Sequence, residues 1–86
     1  MVTESPDVTS YDTELLDHVG SLRSDAELME EYARRLRATA ATLDGCPAAP
    51  ARSRPALERQ AAACVTAAEQ LRTAAEALLA HARAGD

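Results

Sequence analysis

Hydrophobic residues recur in an alternating four-three spacing along two long stretches of the chain. The first series comprises Leu15, Val19, Leu22, Ala26, Met29, Ala33, Leu36, Ala40 and Leu43. The second comprises Leu57, Ala61, Cys64, Ala68, Leu71, Ala75, Leu78 and Ala82. This heptad spacing is how one helix presents a narrow apolar strip to another. The pattern therefore predicts two long helices that pack along these positions, which we call the seam.

Turn signals between the two series predict where the helices end. Gly45 suits a left-handed cap after the first helix, and Pro47 stops the helix just beyond it. Pro55 fits the first turn of the next helix, where its missing N–H costs nothing. We predict a first helix over about 10–44, a Pro-rich turn over 45–54 and a second helix over about 55–84.

The beginning of the chain differs from the helical hairpin that follows it. Residues 1–9 mix Pro, Ser, Thr and acidic residues without a period, so we predict a flexible tail there and a hairpin over residues 10–84. Inside the first helix, a kink at Gly20 is one alternative. Because the seam passes through Gly20 without a change of phase, we predict one continuous helix.

Large and small residues alternate along each seam, and this alternation selects a register. In an antiparallel hairpin where facing residue numbers sum to 97, every layer pairs one large with one small residue, as in Ala33 with Cys64. A slide by one heptad, in which facing numbers sum to 104, would pair Glu30 with Arg72, but it loses a layer and sets Asp44 against Glu58. The preferred register also brings Arg37 near Glu58 and Arg23 near Arg72. We therefore predict an all-α fold, an antiparallel two-helix hairpin built as an Ala/Leu coiled coil.

A second face of small residues lies beside the seam. A core of two helices lined mostly by Ala is thin, because each buried methyl contributes only about 0.8 kcal/mol. We therefore predict that the hairpin pairs into a four-helix bundle through this second face. The alternative is that these Ala residues face solvent and are present only because Ala favours helix. The predicted interface residues are Leu28, Tyr32, Ala63, Ala67, Ala74 and Ala77.

Charge is distributed unevenly along the hairpin. Residues 4–31 contain nine acidic residues and a single Arg, whereas residues 32–59 contain six Arg and two acidic residues. Two hairpins packed head to tail would set each basic end against the acidic end of the other, and a solvated gradient without a partner is the alternative. The net charge of −5 disfavours binding to nucleic acid or to an anionic membrane surface.

Two histidines are the candidate metal ligands. In the preferred register His18 and His81 lie nearly opposite each other at the open end of the hairpin, with Glu14 one turn before His18. Two imidazoles and a carboxylate are a ligand set for Zn²⁺ or Cu²⁺. A solvated pair at a fraying helix end is the alternative, and we predict no cofactor.

The two cysteines have different expected roles. Cys64 occupies the seam, where a free thiol packs as a small hydrophobe. Cys46 lies in the turn near Arg52 and Arg54, which makes it a candidate for redox contact or intermolecular pairing. Since Cys64 lies well inside the second helix, we predict no bond between the two.

Neither a signal peptide nor a membrane span is predicted. The first ten residues contain no basic cluster and no apolar core, and no run of eighteen apolar residues occurs. We therefore expect a cytoplasmic protein. The excess of Ala and the use of Arg without Lys are typical of high-GC, actinobacterial genomes.

A helical hairpin over about residues 10–84 without a signal peptide resembles the WXG100/ESX-like small proteins of high-GC Gram-positive bacteria. The resemblance implies pairing into a four-helix bundle and non-classical export through type VII secretion. The turn reads Asp44-Gly45-Cys46-Pro47 where that family has Trp-x-Gly, and no Tyr-x-x-x-Asp/Glu motif follows the second helix. No family residue is therefore carried over to this chain.

No catalytic motif occurs, so a non-enzymatic role is predicted. We predict a protein–protein interaction module that forms a homodimer, or a heterodimer with another helical protein. An accessory subunit that regulates an enzyme would use the same surface. The alternative is a small metal- or redox-responsive helical bundle that uses His18, His81 and Cys46.

Overall fold

The computed structural model describes the backbone of residues 6–84 and the side chains of residues 12–84. It contains two helices, α1 (Pro6–Asp44) and α2 (Ser53–Ala84), and no strand in this part of the chain. The helices run antiparallel and contact each other along their lengths. The prediction of an all-α antiparallel hairpin is confirmed.

The core of the hairpin is the predicted seam. Every buried residue of the described region belongs to it, and these residues are Val19, Ala26, Ala33, Ala40, Ala61, Cys64, Ala68 and Ala75. The Leu and Met residues of the seam are only half-buried. Their longer side chains extend past the narrow line of contact, so their ends remain in solvent.

The register of the two helices follows from the cluster at the middle of the seam. Ala33, Ala61 and Cys64 pack together, and Leu36 packs against them. These are the contacts of the register in which Ala33 faces Cys64. A slide by one heptad would separate Ala33 from Cys64 by about 10 Å along the axis, which this cluster excludes.

Helix α1 begins earlier than predicted. It starts at Pro6 rather than near residue 10, so residues 6–9 belong to the helix and not to the predicted tail. Proline suits the first helical position because its missing N–H has no partner there and its φ is already helical. The rest of the predicted tail, residues 1–5, lies outside the described residues. The helix continues through Gly20 without interruption.

The end of α1 differs from the prediction. Neither of the described glycines, Gly20 and Gly45, has a positive φ, so the left-handed cap predicted at Gly45 is wrong. Instead, the N–H of Gly45 donates to the carbonyl of Thr42 at 3.3 Å and the N–H of Cys46 donates to that of Leu43 at 3.0 Å. These i to i−3 bonds satisfy the carbonyls of Thr42 and Leu43, so the helix ends in a tighter turn without a left-handed residue.

Helix α2 begins two residues before the predicted start. The N–H of Ser53 donates to the carbonyl of Pro50 at 3.0 Å, and the N–H of Ala56 donates to that of Arg52 at 3.1 Å. Pro55 is therefore the third helical residue. It still lies in the first turn, as predicted, where its backbone nitrogen would have no partner within the helix.

The hairpin is a thin rod. Its radius of gyration is 20.1 Å, and its two shorter dimensions are 17 and 12 Å. A compact domain of this length would have a radius of gyration of about 12 Å. Each helix therefore presents most of its circumference to solvent.

Candidate interaction surface

The six predicted interface residues, which we call the alanine face, are accessible. Leu28 and Tyr32 are 60% and 48% exposed, and with Leu16 they are the large hydrophobic residues most exposed in the described region. Ala63, Ala74 and Ala77 are exposed, whereas Ala67 is half-buried.

Each residue of the alanine face directly precedes a seam residue in the sequence. Tyr32 precedes Ala33, for example, and Ala67 precedes Ala68. In antiparallel packed helices, the residues that precede the seam positions lie on one side of the pair, and the residues that follow them lie on the other. The register therefore places all six on the same side of the hairpin.

The opposite side of the seam is partly covered by contacts within the hairpin. The Arg72 guanidinium donates two hydrogen bonds to Glu30, Nη1 to Oε2 at 2.7 Å and Nη2 to Oε1 at 2.9 Å. Val65 is half-buried against the central cluster on this side. Leu16 also belongs to this side and not to the alanine face. The two flanks of the hairpin therefore differ: one carries an ion pair, a half-buried valine and the exposed Leu16, and the other carries Leu28, Tyr32 and the four alanines.

The α2 part of the alanine face contains no Asp, Glu or Arg. The residues that precede seam positions in this helix are Ala56, Gln60, Ala63, Ala67, Gln70, Ala74, Ala77 and His81. The charged residues of the same stretch, Glu58, Arg59, Glu69, Arg72, Glu76 and Arg83, all lie elsewhere on the helix surface. A second helix can therefore approach this strip closely without desolvating a charged group.

The α1 part of the face is a shallow depression with a charged edge. It is lined by Leu28, Glu31, Tyr32 and Arg35. Arg35 Nη2 lies 3.1 Å from Glu31 Oε2, and both side chains are largely in solvent. Arg35 is not among the predicted interface residues. Arg35 follows Tyr32 by three residues and Leu28 by seven, and this helical spacing places it on the same face.

The candidate metal ligands do not form a recognisable site. His18, His81 and Glu14 are all exposed. In the region that the structure describes, no group of three or more His, Cys, Asp or Glu side chains is arranged to hold a metal ion. The arrangement therefore lends no support to the metal-responsive alternative.

Cys46 is an exposed free thiol in the turn, and Cys64 is a free thiol buried in the seam. Cys46 shares a groove with Arg54, whose Nε donates to Glu58 Oε2 at 3.1 Å and whose Nη1 donates to Asp44 Oδ1 at 2.7 Å. The hydrogen bonds to Glu58 and Asp44 raise the pKa of Arg54 above its ordinary value. The Arg54 guanidinium is therefore engaged by two carboxylates, and no hydrogen bond from it to Cys46 is formed in the described region.

Comparison of the chain with protein-family models, with curated proteins and with solved structures found no match in any of the three. Neither described helix contains a segment that is apolar over the length needed to cross a bilayer. The alanine face is the most distinctive surface in the described part of the molecule.

Proposed function

We propose that the protein is a non-catalytic interaction module that completes its core by pairing with a helical partner to form a four-helix bundle. The observation that carries the proposal is the exposure of Leu28 and Tyr32 beside a strip of small, uncharged residues. Two large apolar side chains one turn apart form an exposed apolar patch, and such patches mark interaction sites.

The composition of the core supports this proposal. Six of the eight buried residues are Ala, and no large side chain in the described region is fully buried. Because the stabilisation from apolar burial grows with the area removed from water, such a core is weak for a chain of this length. A second pair of helices would cover the half-buried Leu side chains as well as the alanine face.

The surface area also supports pairing. The chain exposes 6312 Å². A compact monomer of its mass exposes about 4,900 Å², so the surplus is about 1,400 Å². A typical stable complex buries about 800 Å² on each partner. The hairpin therefore has enough surplus surface for an interface of ordinary size.

Pairing into a four-helix bundle is also what the resemblance to WXG100/ESX-like proteins implies. Export through type VII secretion would be the corresponding cellular role. An accessory subunit that regulates an enzyme would engage its partner through the same face. In each role the surface that acts is the one defined by Leu28, Tyr32 and the four alanines.

Sedimentation equilibrium at micromolar concentration tests the proposal. We expect a dimer, or a weakly stable monomer if the partner is a different chain. Tyr32→Arg places a long charged side chain in the middle of the alanine face, so it should weaken pairing by about tenfold or more. A monodisperse monomer that melts above about 80 °C would contradict the proposal, because such a hairpin needs no partner.

Substitutions on the side of α2 that lies away from the alanine face serve as the control. Glu69→Ala and Arg83→Ala change exposed residues away from the alanine face. Both variants should retain the association of the parent protein. If they weaken pairing as much as Tyr32→Arg does, the assigned face is wrong.

A further inference from the structure

We propose that the alanine face binds a second copy of the same chain, packed antiparallel about a two-fold axis, with Asp25 of each copy paired with Arg35 of the other. This inference rests on the proposed function and names its partner and geometry. It is carried by the order of four residues along α1: Asp25, Leu28, Tyr32 and Arg35.

These four residues are arranged symmetrically about a point midway between Leu28 and Tyr32. Asp25 lies three residues before Leu28, and Arg35 lies three residues after Tyr32. Asp25 and Arg35 each directly precede a seam residue, so both belong to the same side as the alanine face. A two-fold axis through the midpoint places Leu28 against Tyr32 of the other copy. The same axis sets Asp25 opposite Arg35 at both ends of the contact.

Helix α2 is compatible with the same axis. In the observed register, Ala67 is level with the midpoint between Leu28 and Tyr32. The axis therefore makes Ala67 face its own counterpart, and it sets Gln60 opposite Ala74. All of these residues are uncharged and most are small, so the two α2 helices can approach closely.

The ionic partners are available for this contact. Asp25 is exposed and has no ion pair within the described region. Among the described residues Arg35 pairs with Glu31 alone, and its side chain is 71% exposed. Exposed pairs of this i,i+4 kind contribute little to stability, so Arg35 can exchange Glu31 for Asp25 of a second copy at small cost.

The charge distribution favours the antiparallel orientation over the parallel one. Residues 12–31 contain seven acidic residues against Arg23, and residues 32–59 contain six Arg against two acidic residues. Parallel hairpins would place the two acidic ends side by side and the two basic ends side by side. Antiparallel hairpins place unlike charges together, which accelerates association and selects the orientation.

Charge reversal tests the ionic contact. Asp25→Arg sets Arg against Arg, and Arg35→Asp sets Asp against Asp, so each variant alone should dimerise at least about tenfold more weakly. Mixing the two variants should produce a heterodimer, and the doubly reversed chain should dimerise like the parent. Glu69→Arg, which reverses a charge away from the face, should leave dimerisation unchanged.

Each outcome of the charge-reversal experiment decides between the two proposals. If the parent dimerises but neither reversal weakens the dimer, or the mixture forms no heterodimer, the inferred geometry is wrong and the interaction module remains. A weakly stable monomeric parent overturns self-pairing and leaves a different helical chain as the partner. A highly stable monomeric parent overturns both.

Disulfide trapping tests the axis directly, in a Cys46→Ser background that removes the exposed thiol. Ala67→Cys should form an intermolecular disulfide under mild oxidation, because only residues near the axis bring their Cα atoms within about 7 Å. Ala74→Cys lies on the same face, but its two copies would be about 21 Å apart. Efficient trapping through Ala74→Cys, or none through Ala67→Cys in a dimeric protein, would overturn the antiparallel geometry.

Discussion

Arg72 and Glu30 form a two-bond ion pair across the hairpin, although Arg72 lies level with Asp25 in the helix register. The five-residue offset between Glu30 and the α1 residue level with Arg72 has a geometric cause. Side chains on a helix lean toward its N-terminus, and the N-termini of antiparallel helices lie at opposite ends. Arg72 therefore leans toward the turn, whereas Glu30 leans toward the open end. The two side chains meet between their backbone positions.

The same lean explains a predicted contact that is not formed. Arg37 and Glu58 are nearly level in this register, but their side chains lean apart. Among the described residues Glu58 accepts a hydrogen bond from Arg54 at 3.1 Å, and its ion pair is with that residue. Likewise, Arg72 avoids the expected repulsion with Arg23 because it leans away from that residue.

We expect the Glu30–Arg72 pair to make stability depend on pH. The hydrogen bonds from Arg72 hold the pKa of Glu30 below its ordinary value of 4.5. A carboxyl whose pKa is lowered by folding stabilises the fold above its unfolded-state pKa, and this contribution is lost as pH falls through the folded pKa. Thermal melts should therefore show that Glu30→Gln lowers the melting temperature at neutral pH and has a smaller effect below pH 4.5. An equal difference at both pH values would contradict this assignment.

Enlarging a small residue of the seam should destabilise the hairpin. Ala33 is fully buried against Ala61 and Cys64, so Ala33→Leu must push the helices apart. Overpacking of this kind costs about 1–3 kcal/mol. Ala38→Leu adds the same volume at an exposed position of the same helix. Circular dichroism melts should show a lower melting temperature for Ala33→Leu alone, and equal values would mean that the seam is misplaced.

Replacing the glycine inside α1 should stabilise the protein. Gly20 is helical, and a Cβ atom added there meets nothing within 4 Å. Alanine restricts the unfolded chain more than glycine does, so Gly20→Ala should increase the free energy of unfolding by about 0.5–1 kcal/mol. Urea denaturation measures this change. A decrease would indicate that the helix bends at Gly20.

Replacing the glycine at the end of α1 distinguishes the observed i to i−3 turn from the predicted left-handed cap. Gly45 has no positive φ, and a Cβ atom there also meets open space. We therefore expect Gly45→Ala to leave the free energy of unfolding unchanged or to raise it by up to about 1 kcal/mol. A left-handed cap would instead make alanine destabilising by about 1 kcal/mol or more. Urea denaturation of this variant beside Gly20→Ala distinguishes the two caps.

Much of the hairpin could be predicted because its determinants are periodic along the chain. The four-three spacing identified every buried residue of the described region, since one helix turn places residues three and four apart on the same side. The alternation of large and small residues then selected the register that joins Ala33 to Cys64. These features depend only on residue size, hydrophobicity and spacing.

Features that depend on the direction of atoms could not be read from spacing. The end of α1 required knowledge of how Gly45 and Cys46 donate to the preceding turn, and several backbone geometries suit the same residues. The pairing of Arg72 with Glu30 required the lean of side chains from two antiparallel helices. The register also determines which residues of α2 lie level with those of α1, and it places Ala67 level with the midpoint between Leu28 and Tyr32. Sequence periodicity determined the two helices, their seam and the residues beside it, whereas the tertiary structure decided the cap and the ion pairs, because these depend on positions in three dimensions.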